Sequence, residues 1–100
     1  EEIISMVMLF IVYSNAVDDE VVEIVKKYAS GYTKFVDVQG EGNKEPQLGT
    51  HIWPGLNNCM MIALEDNKSK DKIAQELQKL KVKFKGVGIS VFVVQLKEIL

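Results

Sequence analysis

Three segments of this chain are apolar at both odd and even positions, and that pattern limits the possible folds more than any other feature. In IISMVMLFIVYS, Ile4, Met6, Met8, Phe10 and Val12 fall on one side of an extended chain, with Ile3, Val7, Leu9 and Ile11 on the other. NNCMMIALE sets Cys59, Met61 and Ala63 against Met60, Ile62 and Leu64. ISVFVVQL sets Ile89, Val91 and Val93 against Phe92, Val94 and Leu96. Side chains alternate faces along a strand, so a sheet built from these segments is apolar on both surfaces. Each surface needs a cover.

The remaining segments supply a cover for only one of them. NAVDDEVVEIVKKYASG reads as a helix, with Asn15 as N-cap, acids in its first turn, lysines near its end and Gly31 as its stop. Val17, Val21, Ile24, Val25 and Tyr28 form its apolar stripe. DNKSKDKIAQELQKLK is the second helix, capped by Asp66 or Ser69, with Ile73, Leu77 and Leu80 facing inward. YTKFVDVQ alternates and reads as a further strand, and VKFKGVG as a turn. The order is βαββαβ, an α+β ferredoxin-like arrangement with an antiparallel sheet and both helices on one face. The other face is left as a large apolar patch, and such patches mark interaction surfaces. Self-association through the sheet is therefore expected.

At 100 residues the chain is expected to form a single domain, 1–100. A net charge of -2 excludes a generic nucleic-acid backbone binder, and all twelve basic residues are lysines. Without arginine there is no bidentate fork for phosphate or guanine. The lone Cys59 cannot pair within the chain and no CxxC motif occurs, which fits a reducing, cytoplasmic setting. The apolar start is only about half of the ~20 residues that span a bilayer, so no membrane-embedded segment is expected. It lacks the basic beginning of a signal peptide. The missing initiator Met leads to the expectation of residues upstream.

Residues 39–56 are read as a long loop, and it holds four of the seven glycines, both prolines, His51 and Trp53. Loops this long inside a small domain are usually functional or disordered, and disorder is poor in aromatic residues. A binding loop is the better reading.

GYTKFVDVQGEG (31–42) and KFKGVGISVFVV (83–94) together resemble the PII-like superfamily, which includes the nitrogen regulatory proteins P-II. The first stretch is similar to the place where strand two leads into their T-loop, the second to their Gly-rich B-loop. The resemblance covers the whole chain in element order. It implies a homotrimer with inward-facing sheets, small-molecule sites in the clefts between subunits, and a T-loop that docks onto channels or enzymes. It makes an adenine nucleotide the candidate ligand. This chain departs from the family in a shorter T-loop without tyrosine, in Gly86-Val87-Gly88-Ile89 where the family has a pattern like GDGK, and in having no C-terminal arginines. Those departures remove family contacts to ATP phosphates, so the expected ligand is a small anion or a nucleotide held in another manner.

The candidate ligand-binding residues are Gly40, Glu41, Gly42, Lys83, Lys85, Gly86, Gly88 and Trp53. Paired glycines can present backbone N–H groups to an anion or simply form turns. Trp53 can stack on a ligand ring or anchor the loop. His51 and Cys59, with Asp37 or Glu41, raise a metal site, although their spacing fits no zinc motif and Cys59 also reads as a buried core thiol. No nucleophile–base–acid set is evident, so no catalytic activity is expected. The leading expectation is a PII-like signalling protein that relays ligand binding to a partner protein, a transporter or an enzyme, through the 39–56 loop. A metal-binding protein of the divalent-cation-tolerance type and a ligand-free structural trimer are the alternatives.

Overall fold

The inward-facing apolar positions of the three two-sided strands converge on one core. The computed structural model describes residues 6–39 and 56–97. Its elements are β1 (Met6–Ser14), a short 3-10 turn (Asn15–Val17), α1 (Asp18–Tyr28), β2 (Thr33–Val38), β3 (Asn57–Leu64), α2 (Asn67–Lys83) and β4 (Ile89–Leu96). The four strands form one sheet in the order β2-β3-β1-β4, with antiparallel pairing throughout. This is the expected ferredoxin-like arrangement. Because β1 and β3 occupy the centre, their two-sided apolar character meets its structural requirement there.

Val7, Leu9, Ile11 and Tyr13 of β1 are buried on one face beside Met60, Ile62 and Leu64 of β3. Onto them pack Val17, Val21, Ile24 and Val25 near and along α1, and Ile73, Leu77 and Leu80 of α2. The helical stripes expected from the sequence are the ones buried, except that Tyr28 is only half-buried at the edge of the core. The helices are also tied to each other at the surface, where Glu76 of α2 accepts from the Lys27 ammonium and the Tyr28 phenol of α1.

Register places the remaining side chains in rows across the opposite face. Phe92, Phe10, Met61 and Thr33 make one row, and Ser90, Val12, Cys59 and Phe35 the next. Val94, Met8 and Ala63 follow. Phe92 is 56% exposed and Phe35 46% exposed, and no described element lies over this face. Cys59 therefore stands on the uncovered face, which corrects its reading as a core thiol: strand parity assigns it to the side away from the helices.

Two boundaries also differ from expectation. Asn15 does not cap α1; it lies in the 3-10 turn, whose start is capped by Ser14 accepting from the Ala16 amide at 3.2 Å. Helix α2 runs on to Lys83, so that residue belongs to the last helical turn and not to the loop. Lysine suits that end, where its charge complements the helix dipole. Asp66 is the α2 cap, accepting from the Ser69 amide at 2.6 Å. β4 forms one edge of the sheet, and Val93 stays 52% exposed although it is on the helix side.

Candidate functional site

Antiparallel pairing brings the end of β1, the end of β2 and the starts of β3 and β4 to one end of the sheet. Ser14 pairs with Asn57, Val38 with Asn57, and Tyr13 with Ile89. Consequently the 83–88 connection and both ends of the 39–56 segment leave the sheet on the same side. Two backbone bonds tie them to β1: the Ser14 amide donates to the Gly88 carbonyl at 3.0 Å, and the Asn15 amide to the Leu56 carbonyl at 3.1 Å. The 83–88 connection and the returning end of the 39–56 segment thus meet on consecutive residues of the chain.

The 83–88 connection is a tight, basic turn. The Val87 amide closes it on the Phe84 carbonyl at 3.0 Å, and Gly86 adopts φ 85, a conformation that disfavours any residue with a Cβ. Gly88 needs no such freedom, and a side chain there would meet no atom within 4 Å. Its backbone faces open space. Lys83 and Lys85 are exposed, and the Lys83 ammonium lies 5.4 Å from the Phe84 ring centroid. These four candidate residues form one positively charged corner.

Gly40, Glu41, Gly42, His51 and Trp53 lie outside the described residues. Among the described residues no group of three or more His, Cys, Asp or Glu side chains could hold a metal ion. Cys59 stands among apolar neighbours, and burial pushes its thiol up, away from the thiolate that a metal requires.

Beneath the root of the loop is a polar network that sequence reasoning missed. The Asp18 carboxylate accepts from the Tyr13 phenol at 2.6 Å, from the Asn58 amide group at 3.0 Å and from the Lys34 ammonium at 2.9 Å. Burial pushes its carboxyl upward, but these three donors and the charge of Lys34 outweigh that, and Asp18 titrates below its ordinary range. Asn58 is the only buried polar residue among those described. One signal for it was available: Asn58 shares parity with the inward Met60, Ile62 and Leu64, so a polar group was due to be buried there.

A cleft of about 630 Å³ lies at the opposite end of the sheet, lined in part by Met6, Met8, Tyr28, Glu65, Asp66 and Leu96. Among the described residues its lining includes no basic side chain and two carboxylates, one of them the α2 cap. That is the wrong potential for an anion. The lysine corner is the better candidate for an anionic ligand.

No protein-family model and no curated protein matches this chain. Solved structures do. A PII-like protein from Thermus thermophilus is 24% identical, with 93% of this chain and 90% of that one covered and a TM-score of 0.62. CPII, a nitrogen regulatory PII-like protein from Thiomonas intermedia bound to ADP, AMP and bicarbonate, gives a TM-score of 0.67 at 14% identity, covering 93% of this chain and 96% of that one. The de novo designed protein Foldit4 also matches, with a TM-score of 0.55 at 12% identity over 93% of this chain and 99% of that one. The chain has the fold of the PII-like proteins. Because a designed sequence shares that fold, function has to be argued from the site.

Proposed function

We propose that this chain is a non-enzymatic, PII-like regulatory protein of the cytoplasm. In this reading it assembles into a homotrimer through its uncovered sheet face and binds a small anionic or adenine-nucleotide ligand beside the 83–88 turn. It relays the ligand's presence to a partner protein through the 39–56 segment.

The observation that carries the reading is the meeting of turn and loop on Ser14 and Asn15. A ligand that touches Gly86 or Gly88 is one backbone bond from β1, and the next amide holds Leu56. The neighbour CPII, with its bound ADP, AMP and bicarbonate, supports the ligand class. The uncovered Phe92–Phe10–Met61 row supports assembly, since so large an apolar surface is costly to leave in water.

Calorimetry against ADP, AMP and bicarbonate tests the ligand, and light scattering coupled to size exclusion tests the assembly. The expected result is a trimer that binds at least one of the three, with binding weakened when Lys83 and Lys85 are both replaced by Ala. A monomer at micromolar concentration would refute the assembly; binding of none of the three would refute the ligand class.

A further inference from the structure

We infer that Asn15, Asp18 and Asn58 form a clamp on both roots of the 39–56 segment, so that the point where the chain leaves β2 and the point where it rejoins β3 respond together. The inference stands on the subunit alone and holds whether or not a nucleotide binds.

The outgoing root is strained. β2 pairs regularly with β3 from residue 33 to residue 35, and the register then shifts before Val38 meets Asn57. Within that bulge Asp37 takes φ 55, the left-handed region that most L-residues avoid and that aspartate tolerates better than most. Side chains from other elements hold it there. The Asp37 amide donates to Asn58 Oδ1 at 3.0 Å, and Asn15 Nδ2 donates to Asp37 Oδ1 at 3.4 Å.

Asn58 can serve as that acceptor in only one orientation, and Asp18 selects it. Asn58 Nδ2 donates to Asp18 Oδ1, which leaves Oδ1 of Asn58 aimed at the Asp37 amide. A flipped amide would set oxygen against carboxylate and nitrogen against an N–H donor, losing both bonds. Asp18 is itself held by Tyr13 from the core strand and by Lys34 from β2, so β2 is gripped a second time through its own side chain. The orientation of one buried amide thus sets the backbone conformation at the exit of β2.

The returning root meets the same short segment. Asn15 uses its backbone amide on the Leu56 carbonyl and its side chain on Asp37. One residue therefore touches both roots, and its neighbour Ser14 holds Gly88. Coupling between sites requires an element on which both act, and residues 14–18 are such an element.

Amide hydrogen exchange by NMR on the full chain tests the clamp, read at Asp37, Asn15 and Ser14. Asn58→Ala is expected to speed exchange at Asp37 about tenfold, and at Asn15 by about fivefold, with Leu9, Ile11 and Ile62 unchanged. A change at Asp37 alone would overturn the shared clamp, and no change at either would overturn the latch itself. Should Asn58→Ala fail to fold, Asn15→Ala decides. This substitution on a surface turn leaves the core intact and is expected to raise exchange at Asp37 about threefold. Unaltered exchange at Asp37 in that variant would refute the inference.

Discussion

Tyr13 and Asp18 are joined by a 2.6 Å hydrogen bond that links the end of the central strand to the first turn of α1. The phenol is almost wholly buried, and burial, together with this bond, raises its pKa far above the ordinary tyrosine range. Tyr13→Phe keeps the ring in the core and removes only that donor. Bonds to charged groups contribute about 1.5–3 kcal/mol, so urea unfolding should show a loss of about 2 kcal/mol with an unchanged slope. A variant as stable as the parent would mean that solvent supplies Asp18 equally well.

Acid should weaken the same site. Asp18 titrates below its ordinary value of 3.8, so the native state binds its proton less readily than the unfolded chain does. Its stabilising contribution is complete above the unfolded-chain value and is lost as pH falls through the lower folded value. Asp18→Asn should therefore be less stable than the parent at neutral pH, with the gap closing below about pH 4. Thermal melts of both proteins between neutral and strongly acidic pH check this. A gap that stays constant with pH would show that Asp18 acts through shape and not through charge.

The two glycines of the basic turn should separate on mutation. Gly86→Ala places a Cβ at φ 85 and should cost about 1–2 kcal/mol of stability. Gly88→Ala meets open space and should leave the melting temperature unchanged. If a nucleotide approaches that backbone closely, Gly88→Ala should nevertheless weaken ADP binding at least about tenfold, roughly 1.4 kcal/mol. Unaltered ADP affinity would remove Gly88 from the proposed site.

Phe92→Glu puts a charge onto the uncovered face, on edge strand β4 beside Phe10 of the central β1. Light scattering should report smaller particles, while far-UV circular dichroism stays that of the parent. The Cys59 thiol, on the same face, should then react faster with a disulfide reagent. An unchanged mass would place the assembly surface elsewhere.

Much of this was legible in the sequence. The both-face apolar pattern gave the strands, their two alternating sets of side chains and the expectation of a bare face, because strand parity is a strict geometric rule. That Val7, Leu9 and Ile11 form the inward set is decided only by the fold, since both sets are apolar. Cys59 was misplaced because both parity sets of its strand are apolar, so the pattern did not tell which one faces the helices. The cap of α1 was misread because a 3-10 turn over Asn15–Val17 comes first: Ser14 caps that turn, and α1 starts after Val17 with no side-chain cap. Lys83 was put in a loop because the glycines that follow at Gly86 and Gly88 suggested an earlier stop. The Asp18 network had no local signature. Tyr13, Lys34 and Asn58 come from three different strands, and only the folded register brings them to one carboxylate.

Strand β4 has a consequence for the life of the newly made chain. Ile89–Leu96 contains neither proline nor a charged side chain, and it sits at the margin of the sheet with Phe92, Val93 and Val94 all substantially exposed. Natural sheets usually guard such margins with lysine, proline or a covering element, because an open row of N–H and C=O groups templates further strands. A single subunit is therefore expected to be adhesive along that margin. If the proposed assembly forms, yield in recombinant production should depend on how fast subunits find one another more than on how stable each one is.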